Sequence, residues 1–392
     1  MKLTVPSNWD DKLIDGLDPA LTDSVYAQSS SDEYGGGRPS LFLPTVTNTQ
    51  MRAHIKKTRD AGINFNYVLN GSCFENRLFD SEFIKKFRAF MDTLCSFGVN
   101  GVTVADYLML KIIREFYPEL KVTISIFAII NNVSMAKQYE DLGVSDIIVG
   151  NPNDFDFIAK LRKEVSCNLV MFANLGCFIF CNECMLHSYS ASHASQLNHP
   201  SKGFYLEHHV LRCSLEKVRN PESMLKTLYV RPEDIELYEY YGINKLKIVD
   251  RTLPTDKILE LVASYARRNY EGNFLDMVNG LTIVNRSSKK IPNLFYLLSP
   301  TKINLSKLIR KVTGLRPFNI FIDNAGLNGL KKEILEKGIK CWKINCNQCG
   351  ICHKYFEKAG TYYKQSQEES AESINAFLNS ITSSDIFNLL SF

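Results

Sequence analysis

Four thiols, Cys341, Cys346, Cys349 and Cys352, fall within twelve residues. Two-residue spacings let successive sulfurs converge on one centre while intervening amides donate hydrogen bonds to them. That pattern suits a cubane 4Fe–4S cluster, with tetrahedral zinc as the alternative. A second group, Cys177, Cys181 and Cys184, has the x3–x2 spacing of the radical S-adenosylmethionine signature. Two features oppose that reading. The signature normally follows the first strand of a barrel, and its third cysteine normally follows an aromatic residue, whereas Glu183 stands here. With Cys213 about thirty residues on, a cluster held entirely by protein thiols is the simpler account, and S-adenosylmethionine belongs to the alternative. Eight of the eleven cysteines fall in these two groups, and Cys73 is either a further ligand or a packed thiol. His187, His193, His208 and His209 share the stretch around the first group. Each reads first as a hydrogen-bonded structural residue, with His187 also a substrate-binding candidate.

The elements that must position these groups follow from a repeated pattern. Ala61–Asn70, 97–106, 142–150 and 241–250 each carry a glycine, then Ile or Val, then a β-branched run ending in a polar residue or glycine. This is a helix-terminating glycine followed by a buried parallel strand. Strands are expected at 41–43, 65–69, 101–105, 122–127, 146–149, 168–173, 227–230 and 246–249, with amphipathic helices between them. Eight strand–helix units predict an α/β fold, a TIM-like (β/α)8 barrel. Its iron–sulfur insertion, residues 174–226, is expected after the sixth strand. The expected domains are an N-terminal extension (1–38), the barrel (39–272) and a small cysteine-rich C-terminal domain (273–392), in which NLFYLLSP and FNIFIDN read as strands.

Polar residues at strand C-termini face the reaction centre of such a barrel. The catalytic candidates are Asn70, Asp106, Arg231 and Asp250, and the substrate-binding candidates are Arg38, Asn174, His187 and Arg251. Arg231 and Arg251 have the fork geometry to clamp a carboxylate or phosphate, or else form ordinary ion pairs with Glu233 or Asp250. Gly35, Gly36 and Gly37, beside Arg38, either offer amides to an anion or form a flexible entry to the first strand.

The chain has 392 residues, 45% of them hydrophobic, so it can bury a large core. A net charge of +4, from 46 basic and 42 acidic residues, excludes an acidic tail protein and gives no support for generic nucleic-acid binding. The start, MKLTVPSNWDDKLID, has no apolar leader, and no run approaches a membrane span, so a cytoplasmic protein is expected.

The segments NLGC ending at Cys177, HHVLRCS around Cys213, VRPEDIELYEYYGINKLKIVDR, RRNYEGN at 267–273, and PFNIFIDNAGL with the tail cysteines resemble a branch of peptidase family U32, the collagenase-like peptidase family. The resemblance implies iron–sulfur proteins of oxygen-independent hydroxylation, acting on ubiquinone precursors, tRNA uridine or ribosomal RNA cytidine, with prephenate as the hydroxyl donor. It implies cluster ligation by Cys177, Cys184 and Cys213, with Cys181 or Cys73 as the fourth ligand. It also implies a second family subunit or an electron donor as partner. The expected function is an iron–sulfur redox enzyme that modifies a small molecule, RNA or peptide. The alternatives are a radical S-adenosylmethionine enzyme, a peptidase-like hydrolase and a non-catalytic electron-transfer subunit. No Ser–His–Asp set or His–Glu–x–x–His motif is recognisable in the sequence, so a peptidase is the less expected reading.

Overall fold

The structure, a computed structural model, describes residues 1–30, 32–201, 208–278 and 303–387. The expected strand NLFYLLSP lies outside the described residues. The chain divides into two compact units, one of 1–175, 184–203 and 228–270, the other of 176–183, 204–227 and 271–392.

The first unit is built on a closed barrel of eight strands: β1 (Lys2–Pro6), β2 (Thr22–Ala27), β3 (Asn64–Leu69), β4 (Gly101–Val104), β5 (Lys121–Ile124), β6 (Asp146–Ile148), β7 (Asn168–Phe172) and β10 (Lys245–Lys247). Every neighbouring pair is parallel, and β1 closes the ring on β10 with Thr4 opposite Lys247. Two further strands, β8 (Asn174–Phe178) and β9 (Thr227–Tyr229), lie outside the ring. The helices are α1 (Asp11–Asp15), α2 (Asn48–Asp60), α3 (Ser81–Phe97), α4 (Tyr107–Phe116), α5 (Val133–Asp141), α6 (Phe155–Glu164), α7 (Cys184–Ser195), α8 (His208–Arg219), α9 (Ile235–Tyr240) and α10 (Thr255–Arg267), with α8 in the second unit. Local chemistry sets their ends. Thr47 and Gln50 form a capping box at the start of α2, and Asp80 caps α3. Gly98 ends α3 at φ 100°, in the left-handed region that glycine enters without a Cβ clash.

Three expectations are corrected. Residues 1–38 are not an extension, because they supply β1 and β2. Residues 41–43 are not a strand, since Ser40–Phe42 is a 3-10 turn, and Thr227–Tyr229 is a strand outside the barrel. The cysteine-bearing insertion therefore follows the seventh barrel strand, not the sixth. The cause is composition. KLTVP and TDSVYA turn Thr4 and Ser24 into an unusually polar barrel interior, so neither segment reads as an apolar run.

That interior also holds Asn66, Thr103, Thr123 and Lys247, where Thr103 Oγ1 donates to Asn66 Oδ1 at 2.6 Å. At its floor Lys245 pairs with Asp146 at 2.6 Å and Asp23 at 2.9 Å. Thr4, Ser24, Asn66, Thr103, Asp146 and Lys247 help to line a cavity of about 30 Å³ towards the strand N-termini, the end opposite to the catalytic mouth of such barrels.

In the second unit, β11 (Ile320–Ile322), inside the expected FNIFIDN strand, pairs antiparallel with β12 (Gly360–Tyr362). The long helix Lys364–Thr382 packs against α8 within the same unit. Among the described residues no helix is long and apolar enough to cross a membrane.

Candidate active site at the barrel mouth

The segment after β2 is anchored by Asp32. Its Oδ1 accepts from the amides of Tyr34 (3.0 Å) and Gly35 (2.6 Å), and its Oδ2 accepts from the Tyr67 hydroxyl on β3 (2.9 Å). Burial lifts the Asp32 carboxyl to about 6, against the lowering effect of those donors.

The three glycines that follow are dictated by close approach. A Cβ on Gly36 would lie 2.4 Å from Gln28 Oε1 and 3.0 Å from Asn70 Oδ1, and one on Gly35 would lie 2.4 Å from Ser195 Oγ. The Gly36 amide donates to Ser195 Oγ (2.8 Å) and the Gly37 amide to Asn70 Oδ1 (2.9 Å). With the Gly35 amide on Asp32, all three amides offered to an anion by the sequence are already used, and the loop is pinned rather than a flexible entry.

Helix α7 does the pinning. Besides Ser195, its Ser192 Oγ accepts from the Ser72 amide (3.1 Å), and Gln196, just past its end, donates to the Cys73 carbonyl (2.8 Å). Small serines and alanines on one face let the helix lie close to both mouth loops.

Two arginines meet at this mouth. Arg38 pairs with Asp250 at 2.9 Å, and Asp250 also accepts from the Thr252 amide and hydroxyl. Arg251 is buried, and its Nη1 donates to Gln28 Oε1 at 3.1 Å. Arg38 takes the carboxylate of Asp250, so a neutral amide is the hydrogen-bond partner left to Arg251. Burial disfavours its charge, as does the nearby Arg38, while Asp250 acts the other way.

Of the eight expected site residues, Arg38, Asn70, Asp250 and Arg251 are brought to the mouth. Asn70 acts there as a bracket, accepting from Gly37 and donating to Ser125 Oγ at 3.0 Å. Asn174 is fully buried and holds the end of β10, accepting from the Val249 amide at 2.8 Å. Asp106 caps α4 through the Met109 amide (2.9 Å). Arg231 is sealed in ion pairs with Asp234 (3.1 Å) and Glu233 (3.8 Å), the ordinary reading of that residue. His187 is half-buried on α7. Gln28, Asp32, Tyr67 and Ser125 were missed in the sequence. Gln28 and Asp32 lie in the supposed extension, and Tyr67 and Ser125 look like strand and turn residues.

None of the eleven cysteines is buried: Cys177 and Cys346 are exposed, and the others, Cys181, Cys184 and Cys213 among them, are intermediate. In the tail, Asn345 caps the one-turn helix Cys346–Cys349, and Gly350 at φ 66° redirects the chain into the helix that carries Cys352. Loss of solvent around the half-buried Cys352 sulfur pushes its thiol up to about 11, opposed by Lys331 and Lys226 and reinforced by Cys341 and Cys346. Four cysteines at these spacings are a donor set that an iron–sulfur cluster or a zinc ion accepts.

Among the described residues, the groups of three metal-type donors within 4.8 Å are Glu75–His193–His199 and Glu183–His208–His209, neither containing a cysteine. His193 and His199 stack at 4.3 Å with their planes 10° apart, and His199 is 2.9 Å from Glu75. Lone pairs in parallel planes do not converge on one ion. Glu183 is bonded to His209 (2.9 Å) and to Arg212. The reading that no Ser–His–Asp set exists is corrected by Ser7, His54 and Asp11, with Ser7 Oγ 2.8 Å from His54 Nε2 and His54 Nδ1 2.6 Å from Asp11 Oδ1.

A closed ring of eight parallel strands with surrounding helices defines a TIM-like (β/α)8 barrel, a fold whose catalytic side chains are placed at the strand C-termini. Residues 42–271 match the family model of peptidase family U32, more than half of the chain, and the chain belongs to that family. It is 22% identical over 327 residues, 83% of this chain and 85% of the relative, to an uncharacterized protease of Methanocaldococcus jannaschii. A U32 peptidase of known structure is 17% identical, with a TM-score of 0.48 over 64% of this chain and 93% of that one.

Proposed function

We propose that this chain is an iron–sulfur redox enzyme that binds a small carboxylated molecule at the barrel mouth. The buried Arg251, hydrogen-bonded to a neutral amide beside the Arg38–Asp250 pair, carries the reading. A carboxylate entering there accepts the fork of Arg251 and gains from Arg38, while Gln28, Asn70 and the pinned glycine loop set its orientation. Helix α7 excludes water from that side. Cys341, Cys346, Cys349 and Cys352 are the residues that would hold a 4Fe–4S cluster, and Cys177, Cys181, Cys184 and Cys213 are the candidates for a second. Such clusters supply one-electron transfer, which makes an electron donor the expected partner.

Anaerobically purified protein should contain about four irons per cluster, and Cys346→Ala with Cys349→Ala should remove about four of them. Calorimetry with small mono- and dicarboxylates should show binding that Arg251→Met weakens at least about tenfold, the equivalent of one lost charged hydrogen bond. Iron-free protein refutes the redox part, and equal affinity in Arg251→Met refutes the mouth assignment. The names of the relatives favour a second reading, peptide hydrolysis, in which the mouth holds a peptide carboxylate. Peptide cleavage by cluster-free protein would establish it.

A further inference from the structure

Ser7 follows the last residue of β1 and so stands at the C-terminal end of a barrel strand, where catalytic side chains of this fold are placed. Asp11 opens α1, and His54 lies in α2. The turn that brings them together is tight: Trp9 sits at φ 66°, and Asp10 caps α1 through the Lys12 amide at 3.0 Å. Ser7 Oγ accepts from the Trp9 amide at 3.0 Å, which leaves its own hydrogen for His54 Nε2 at 2.8 Å. The imidazole proton is then on Nδ1, facing Asp11 Oδ1 at 2.6 Å. This is the tautomer in which a histidine takes a proton from a serine hydroxyl, held there by the carboxylate.

We propose that Ser7 is a nucleophile for small acyl esters, with His54 as its base and Asp11 orienting the imidazole, and with the Trp9 indole gating access. Ser7 and His54 are each 1% exposed. The indole of Trp9 lies edge-on to His54 at 5.4 Å and tilted against Phe65 at 5.7 Å, and its Nε1 donates to the Gln28 carbonyl at 3.2 Å. Trp9 is itself half-buried, so the indole is the cover that must swing for a substrate to enter. The walls it leaves are aromatic, which fits a slim uncharged acyl group. In the reaction the Ser7 Oγ–acyl carbon bond forms and the bond to the leaving alcohol breaks. The hydroxyl proton passes to His54 Nε2 and on to the leaving oxygen. Water then repeats the sequence against the acyl-serine and releases a carboxylic acid. The Trp9 amide, 3.0 Å from Oγ before the attack, is a backbone donor available to the oxyanion once released. This activity is independent of the mouth cations and of any cluster.

The test is phosphonylation of the full-length protein by an alkyl fluorophosphonate, which forms a Ser–O–P bond with loss of fluoride and leaves the cysteines untouched. Intact mass and peptide mapping should find one adduct, on Ser7, absent from Ser7→Ala and at least about a hundredfold slower in His54→Gln. Asp11→Asn, at a half-exposed side chain, should slow labelling with the fold intact. Trp9→Gly should accelerate it, and glycine suits the positive φ at that position. The rate should fall only as pH drops through a midpoint below the usual 6.5 of histidine. Burial lowers His54 and Lys57 acts the same way, against Asp11 and Asp10. Labelling of Ser7 in Trp9→Gly alone supports the relay with a closed gate. No Ser7 adduct in either folded wild type or folded Trp9→Gly overturns the proposal, and so does an adduct that forms in His54→Gln at the wild-type rate.

Discussion

Asp32→Asn tests whether the mouth loop is held by a carboxyl kept close to neutrality. Asp32 is buried, and its carboxyl is raised from 3.8 to about 6. A shift of roughly two pH units corresponds to about 3 kcal/mol. Because the folded value lies above the unfolded one, the folded state binds this proton more tightly. The contribution to stability is complete below about pH 4 and is lost as pH rises through 6, fully so by about pH 8. The amide that Asp32→Asn introduces copies the protonated acid. Its oxygen keeps the Tyr34 and Gly35 amides, and its nitrogen faces the Tyr67 oxygen. Since the variant cannot ionise, the difference in unfolding free energy, variant minus wild type, should move in favour of the variant by about 3 kcal/mol between pH 4 and pH 8. Urea titrations of both proteins in the same buffers measure it, and all other titrating groups cancel. A difference that stays constant with pH refutes the reasoning. A shift towards the wild type would mean that the three donors outweigh burial and hold Asp32 as an anion.

Gly36→Ala places a methyl 2.4 Å from Gln28 Oε1, so thermal unfolding should show a loss of about 1–3 kcal/mol, with weaker carboxylate binding because Gln28 holds Arg251. An unchanged melting temperature would show that the loop has slack. Lys245→Met strips the cation from Asp146, 5% exposed on the barrel floor, and from Asp23. It should cost about 3–5 kcal/mol in urea unfolding, and a cost under about 1 kcal/mol would show that the pair is solvated.

The barrel was legible where strands are apolar and helices end in glycine. Phe65, Val102, Val122, Ile147, Val170 and Leu246 all fall in expected strands and are buried. It was not legible in β1 and β2, whose Thr and Ser side chains line a polar interior. Asn70, Asp250 and Arg251 were found because a strand's C-terminal end is a position that sequence can mark, and Arg38 because it follows three glycines. Arg231 met the same criterion and proved to be an ion-paired structural residue, since partner choice depends on which carboxylate lies closer. The cysteine spacings are a local property of the chain, readable without any fold.

Local sequence alone determined the repeating strand–helix rhythm, the helix caps and the tail's one-turn cysteine helix, because each depends on neighbours within a few residues. Only the tertiary structure decided that Asp32 meets Tyr67, that α7 packs on Gly35 and Gly36, and that Ser7, Asp11 and His54 line up. Those contacts join residues as many as 159 positions apart, and barrel closure, a non-local event, is what brings them within hydrogen-bond reach.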